Sequence, residues 1–130
     1  MEKDRSRYFR LSQNAETSLK STESTDSWEQ YRLGFNFEFG VDCEQDYKKA
    51  VYWCKKAAGQ NNSWAQNRLG DLYKSGNGVK QDYKEAVKWY NLSCINGDDT
   101  AQYNLGMCYF NGSGVKQDYN EAFKHFMRAW

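Results

Sequence analysis

No proline occurs anywhere in the 130 residues, and histidine occurs once. An aromatic share of 17% together with the missing proline points to packed helices, not to linkers or disorder. Long apolar runs are missing as well. None approaches the roughly 18 residues a membrane span needs, and the N-terminus lacks the short apolar core of a signal peptide. Nor is there an excess of either charge: 18 Lys and Arg stand against 17 Asp and Glu, a formal net charge of +1. That balance leaves no electrostatic footprint for nucleic acid or an anionic membrane. A cytoplasmic protein without a membrane span is the default expectation. The length is one domain's worth, able to bury roughly two-thirds of the surface its unfolded chain exposes.

What the chain does have is a period. Leu33-Gly34, Leu69-Gly70 and Leu105-Gly106 are each 36 residues apart, and the same step carries Asp46 to Asp82 to Asp118, Tyr47 to Tyr83 to Tyr119, and Ala50 to Ala86 to Ala122. A fixed period of about 20 to 50 residues is the mark of a stacked-repeat protein. Three copies follow one another without insertion, at 27–62, 63–98 and 99–130.

In the middle copy, Ala65, Leu69, Leu72 and Tyr73 recur at i, i+4, i+7 and i+8, one face of a helix over about Ser63 to Lys74. Ser75-Gly76-Asn77-Gly78 breaks it, because glycine supplies the left-handed conformations that end helices. Asp82 is placed to cap a second helix running to about Ile95, and Glu85 three residues on completes a capping box, repeated as Asp118 with Glu121. Repeat one has Lys49 in place of that Glu. Tyr83, Ala86, Val87 and Tyr90 form the second helix's apolar face, widened by Trp89 and Leu92. Gly70 and Ala86 are the small residues that let the two helices approach.

Residues 1–26 do not fit the period, since Asn14 and Thr17 fall where Ala50 and Trp53 stand. This polar segment is a divergent cap or a tail, and Tyr8, Leu11, Ala15 and Leu19 have the spacing of one short amphipathic helix. At the other end, Trp130 aligns with Cys94 inside the last turn of a second helix with no polar cap behind it. Stacked repeats need terminal caps. Either a homodimer through that uncapped end or a longer array is expected.

The search for chemistry finds little. Cys43, Cys54, Cys94 and Cys108 are spaced by 11, 40 and 14 residues, which fits no paired zinc motif. Cys94 stands where Ala58 does and Cys43 where Val79 does, as expected of thiols used as small hydrophobes. His125 occupies a helix position that is Trp in the other copies, an aromatic substitute. Gly76-x-Gly78 and Gly112-x-Gly114 lack the full phosphate-loop pattern and follow a helix, so they are turns. No catalytic residue, cofactor or metal site is assigned.

The pattern Ala65-x3-Leu69-Gly70-x2-Tyr73-x2-Gly76-x-Gly78-Val79-x2-Asp82-x3-Ala86-x2-Trp89 resembles the Sel-1-like repeat, a relative of the tetratricopeptide repeat. The third copy matches through Ala101, Leu105, Gly106, Tyr109, Gly112, Gly114, Val115, Asp118 and Ala122. Repeat one departs at Asp42 and Cys43, which replace the second Gly and the Val. The resemblance implies an all-α fold, an α/α superhelix or solenoid of three helix-turn-helix repeats, and a non-enzymatic adaptor that binds a protein or peptide partner. It also implies an alternative, because cysteine-rich secreted relatives are linked to binding or hydrolysis of β-lactams. Those relatives pair a Cys at the position of Cys94 with one eight residues on, where this chain has Gln102.

If Ala65, Leu69, Leu72 and Tyr73 face the core, the opposite side of that helix is Asn67, Asp71 and Lys74. The equivalent residues are Tyr31, Phe35 and Glu38 in repeat one, and Tyr103, Met107 and Phe110 in repeat three. Clustered aromatics and Met on a solvent face are expected to mark the partner site, with Asn67, Asp71 and Lys74 between them.

Overall fold

The computed structural model describes residues 26–130, and the segment before Asp26, with the short helix expected in it, lies outside the described residues. Among the described residues there are six α-helices: α1 Ser27–Phe39, α2 Tyr47–Gly59, α3 Ser63–Ser75, α4 Tyr83–Ile95, α5 Asp99–Asn111 and α6 Tyr119–Arg128. The two helices of the middle repeat run one residue later at one end each than the periodicity indicates: α3 continues through Ser75, and Asp82 stands outside α4 as its cap. Each repeat is an antiparallel hairpin, and successive hairpins pack so that α2 touches α3 and α4 touches α5, while α1 also reaches α3. The fold is an all-α helical solenoid.

The core is built across the joints. Val51, Cys54, Ala57 and Ala58 of α2 are buried with Ala65, Leu69 and Leu72 of α3. Ala86, Val87 and Tyr90 of α4 are buried with Leu105 and Cys108 of α5. Repeat one also closes a cluster within its own hairpin, from Leu33, Phe37, Cys43, Ala50 and Trp53, whereas the two clusters at the joints need the neighbouring repeat. Within each hairpin the helices close over a glycine. A Cβ at Gly34, Gly70 or Gly106 would come within 2.6, 2.5 and 2.7 Å of Cys54, Tyr90 and Phe126 respectively. Those three partners share one register position, so the same contact is made three times with different side chains.

The cap residues act as expected, but the box does not form. Asp82 Oδ1 accepts from the backbone N–H of Lys84 and Glu85, and Asp46 and Asp118 likewise accept from Lys49 and Glu121. The N–H of each of these Asp residues is already donated to the first helix of its hairpin, to the carbonyls of Phe37, Tyr73 and Tyr109 at 2.9 Å in all three. Nothing is left for Glu85 or Glu121 to reach back to, which is why repeat one can have Lys49. Replacing Asp82 with Ala is expected to cost about 1 kcal/mol. Glu85→Ala should change stability by less than about 0.5 kcal/mol, and urea unfolding of the two variants side by side checks this.

Tyr83 is a second correction. It is 42% exposed, outside the buried face of α4, and its hydroxyl accepts from Gln81 Nε2, which also donates to the Lys74 carbonyl. Gln45 and Gln117 repeat the arrangement with Tyr47 and Tyr119. The 36-residue step from Gln45 to Gln81 to Gln117 is the signal that marks this loop clamp in the sequence.

Candidate partner-binding surfaces

α1 places Trp28, Tyr31, Phe35 and Phe39 at i, i+3, i+7 and i+11, one stripe along the helix. Their rings touch in sequence, at 6.1 Å for Trp28 and Tyr31, 6.1 Å for Tyr31 and Phe35, and 4.8 Å for Phe35 and Phe39. Trp64 of α3 joins them edge-on, 5.5 Å from Trp28 and 5.7 Å from Tyr31. Trp28, Phe39 and Trp64 are about half exposed. Tyr31 and Phe35 are half-buried within the stripe.

The polar face expected between the aromatic ends is partly drawn inward. Asn67 is only 6% exposed, and its Oδ1 accepts from Asn104 Nδ2 across to α5 at 2.8 Å. Asp71 accepts from the Tyr90 hydroxyl and pairs with Arg68. Arg68 also lies 3.4 Å from Glu38. Lys74 is half-buried. Side chains that point outward on an isolated helix meet a neighbouring helix when α1, α3 and α5 stand side by side. Burial pushes the Glu38 carboxyl up to about 7, against the pull of Arg68 and with a further push from Asp71. Beside this network, Tyr31, Trp64, Asn67 and Arg68 line a recess of about 410 Å³ closed by Gly97 to Thr100.

Tyr103, Met107 and Phe110 lie on a different surface. They line a cleft of about 550 Å³ whose other wall is Phe123, Phe126, Met127 and Trp130. Tyr103 and Phe126 touch at 5.6 Å. The candidate residues therefore divide between a surface of repeats one and two, where Tyr31 and Asn67 line the recess, and the cleft of repeat three. The α6 wall went unassigned from sequence, yet the repeat register contains it. Phe123 aligns with Val51 and Val87, which are 6% and 7% exposed, whereas Phe123 is 65% exposed. Trp130 aligns with Ala58 and Cys94.

The Sel1 repeat pattern matches residues 30–62, 65–98 and 99–129. The chain belongs to the Sel1 repeat family. Among solved Sel1-type structures it is similar to a protective antigen of uropathogenic Escherichia coli with an SLR fold, at 42% identity and a TM-score of 0.77, covering 79% of this chain and 22% of that one. It is similar to a Sel1 repeat protein from Oxalobacter formigenes at 31% identity and a TM-score of 0.79, covering 91% of this chain and 48% of the other. The chain thus spans about a fifth and about half the length of these two relatives. Cysteine-rich protein B of Helicobacter pylori shares the fold at 24% identity and a TM-score of 0.69, covering 92% of this chain and 88% of that one. Comparison with curated protein sequences returns no match.

The Sel1 scaffold here holds its reactive side chains in inert surroundings. All four cysteines are thiols, and burial pushes Cys54 up to about 12 and Cys94 up to about 11, far from the thiolate a nucleophile needs. His125 is buried, stacks on Tyr109 at 5.4 Å and bonds Gln102 through Nδ1. Burial, then Arg128, holds its pKa below the usual value. Among the described residues no group of three His, Cys, Asp or Glu side chains is arranged to hold a metal, and no helix is long and apolar enough to cross a membrane. Sel1 repeats commonly serve protein–protein interaction.

Proposed function

We propose that this Sel1 chain is a non-enzymatic adaptor of the cytoplasm that holds a protein partner in the apolar cleft of its third repeat. The observation that carries the reading is the register. At positions where the inner repeats have Val51 and Val87, packed against the helix that follows, repeat three has an exposed Phe123. Trp130 replaces the small Ala58 and Cys94 in the same way. Side chains of this size give the cleft broad apolar walls. It suits an amphipathic segment with bulky apolar anchors, and its Met107 and Met127 can repack around one.

Phe123→Ser with Met127→Ser is expected to abolish capture of the partner while helix content by circular dichroism stays at the wild-type level, because both side chains are already exposed. Capture that survives the double variant would sink the reading. A second copy of the chain is the competing occupant. Sedimentation that depends on concentration in the wild type, and not in the variant, would identify it.

A further inference from the structure

We propose that the recess between repeats one and three is a second site, which takes an arginine side chain presented by a protein partner. Its two aromatic walls are Tyr31 and Trp64, whose rings meet at 83° with centroids 5.7 Å apart. Perpendicular rings form a corner in which a planar cation can lie on one face while its edge meets the other ring. Trp64 is 53% exposed, so the wall is open to an incoming group. The remaining wall is Asp98 and Asp99 at the start of α5.

The charges around the recess favour a cation. Arg68 also lines it, but its guanidinium is matched inside the protein by Asp71 and by Glu38 at 3.4 Å. Asp98 and Asp99 have no cationic partner among the described residues. Asp98 uses Oδ1 to cap the N–H groups of Thr100 and Ala101, and the positive end of α5 offsets part of the acidic charge without cancelling two carboxylates. The charge of Asp98 is also felt at the Tyr31 hydroxyl, so the acid and the aromatic wall address the same space.

Arginine fits this arrangement better than lysine. A guanidinium is planar and weakly hydrated, so it stacks on an indole and can fork onto neighbouring carboxylates, whereas an ammonium is a compact, strongly hydrated charge. The volume of about 410 Å³ accommodates the head group and its stem. The inference rests on the reading of the chain as a binding module but uses a surface separate from the apolar cleft.

The test is a titration of the full chain with the capped peptide acetyl-Gly-Arg-Gly-amide and with its citrulline counterpart, which keeps the shape and loses the charge. The Trp64 indole N–H is followed by NMR. A saturable shift is expected with arginine, with binding about tenfold weaker for citrulline and for the Asp99→Asn variant; in Trp64→Leu, whose fold is checked by circular dichroism, the backbone N–H of Thr100 at the recess is followed instead and is expected not to shift. An unmoved Trp64 signal, equal binding of citrulline, or an unaffected Asp99→Asn variant would each overturn the proposal. So would an arginine peptide that binds only after Arg5, Arg7 and Arg10 are changed to Gln, since the chain's own N-terminal segment would then be the occupant. Phe123→Ser with Met127→Ser should leave the arginine response intact, which separates failure of the cleft from failure of the recess.

Discussion

Gly78→Ala is expected to destabilise the chain by about 3 to 5 kcal/mol, and Gly114→Ala by a similar amount. Both glycines have a positive φ, +76° and +75°, where a side chain already costs about 1 to 2 kcal/mol. The larger effect comes from what stands beside them. A Cβ on Gly78 would lie 2.4 Å from the Tyr47 carbonyl oxygen and 2.7 Å from its carbon, and one on Gly114 would lie 2.4 Å from the Tyr83 carbonyl oxygen. Backbone cannot rotate aside, so relief requires the loop to pull away from the preceding repeat and open the joint that covers the core. Gly76 has the same φ of +76° but would meet chiefly Gln81 within its own loop, its side chain at 3.0 Å, so Gly76→Ala should cost roughly 1 to 2 kcal/mol. The ordering is the test: thermal unfolding in which Gly78→Ala loses no more than Gly76→Ala would refute the joint argument.

The same geometry accounts for the irregular first repeat. Asp42 occupies the register position of Gly78 with φ 56°, a left-handed conformation that Asp tolerates better than most residues. Among the described residues no earlier repeat presents a carbonyl to it.

Periodicity made the architecture legible because each repeat meets the same surroundings twice over, as its own hairpin and as its neighbour's partner. Asp46, Asp82 and Asp118 cap the same turn, and Ala50, Ala86 and Ala122 are buried at the same place. The binding surfaces were less legible, since they depend on which neighbour is present. Asn67 reads as outward on α3 until Asn104 is set against it. Glu38 shares a column with Lys74 and Phe110, yet it is 7% exposed because Arg68 of the next repeat closes over it. Trp64 becomes part of an aromatic cluster only when α1 and α3 stand together. A helical wheel has no access to any of these pairings. The α6 wall of the cleft was accessible in principle, through the column that reads Val51, Val87, Phe123.

Glu38→Gln is expected to stabilise the protein at pH 8 and to flatten its stability between pH 5 and pH 8. The folded chain holds the Glu38 proton up to about 7, against an ordinary value of 4.5, because burial disfavours the carboxylate more than Arg68 favours it. A group whose pKa is raised on folding stabilises the fold fully below its unfolded value, and that contribution is lost as the pH rises through the folded one. At about 1.4 kcal/mol per pH unit, the gap between 4.5 and about 7 sets an upper size of about 3.5 kcal/mol for the loss. The groups facing Glu38 are Arg68 and Asp71 of α3, with Tyr31 of its own helix and Cys54 of α2 also within reach of its charge. In the variant, Arg68 keeps Asp71, so its guanidinium is not stranded. His125 contributes with the opposite sign, its lowered pKa costing stability as the pH falls, and the difference between wild type and variant cancels it. Urea unfolding at pH 5, 6, 7 and 8 should therefore give two curves that lie close together at pH 5 and diverge upward in favour of the variant. Parallel curves would mean that Glu38 titrates like a carboxyl in water and that Arg68 fully compensates its burial.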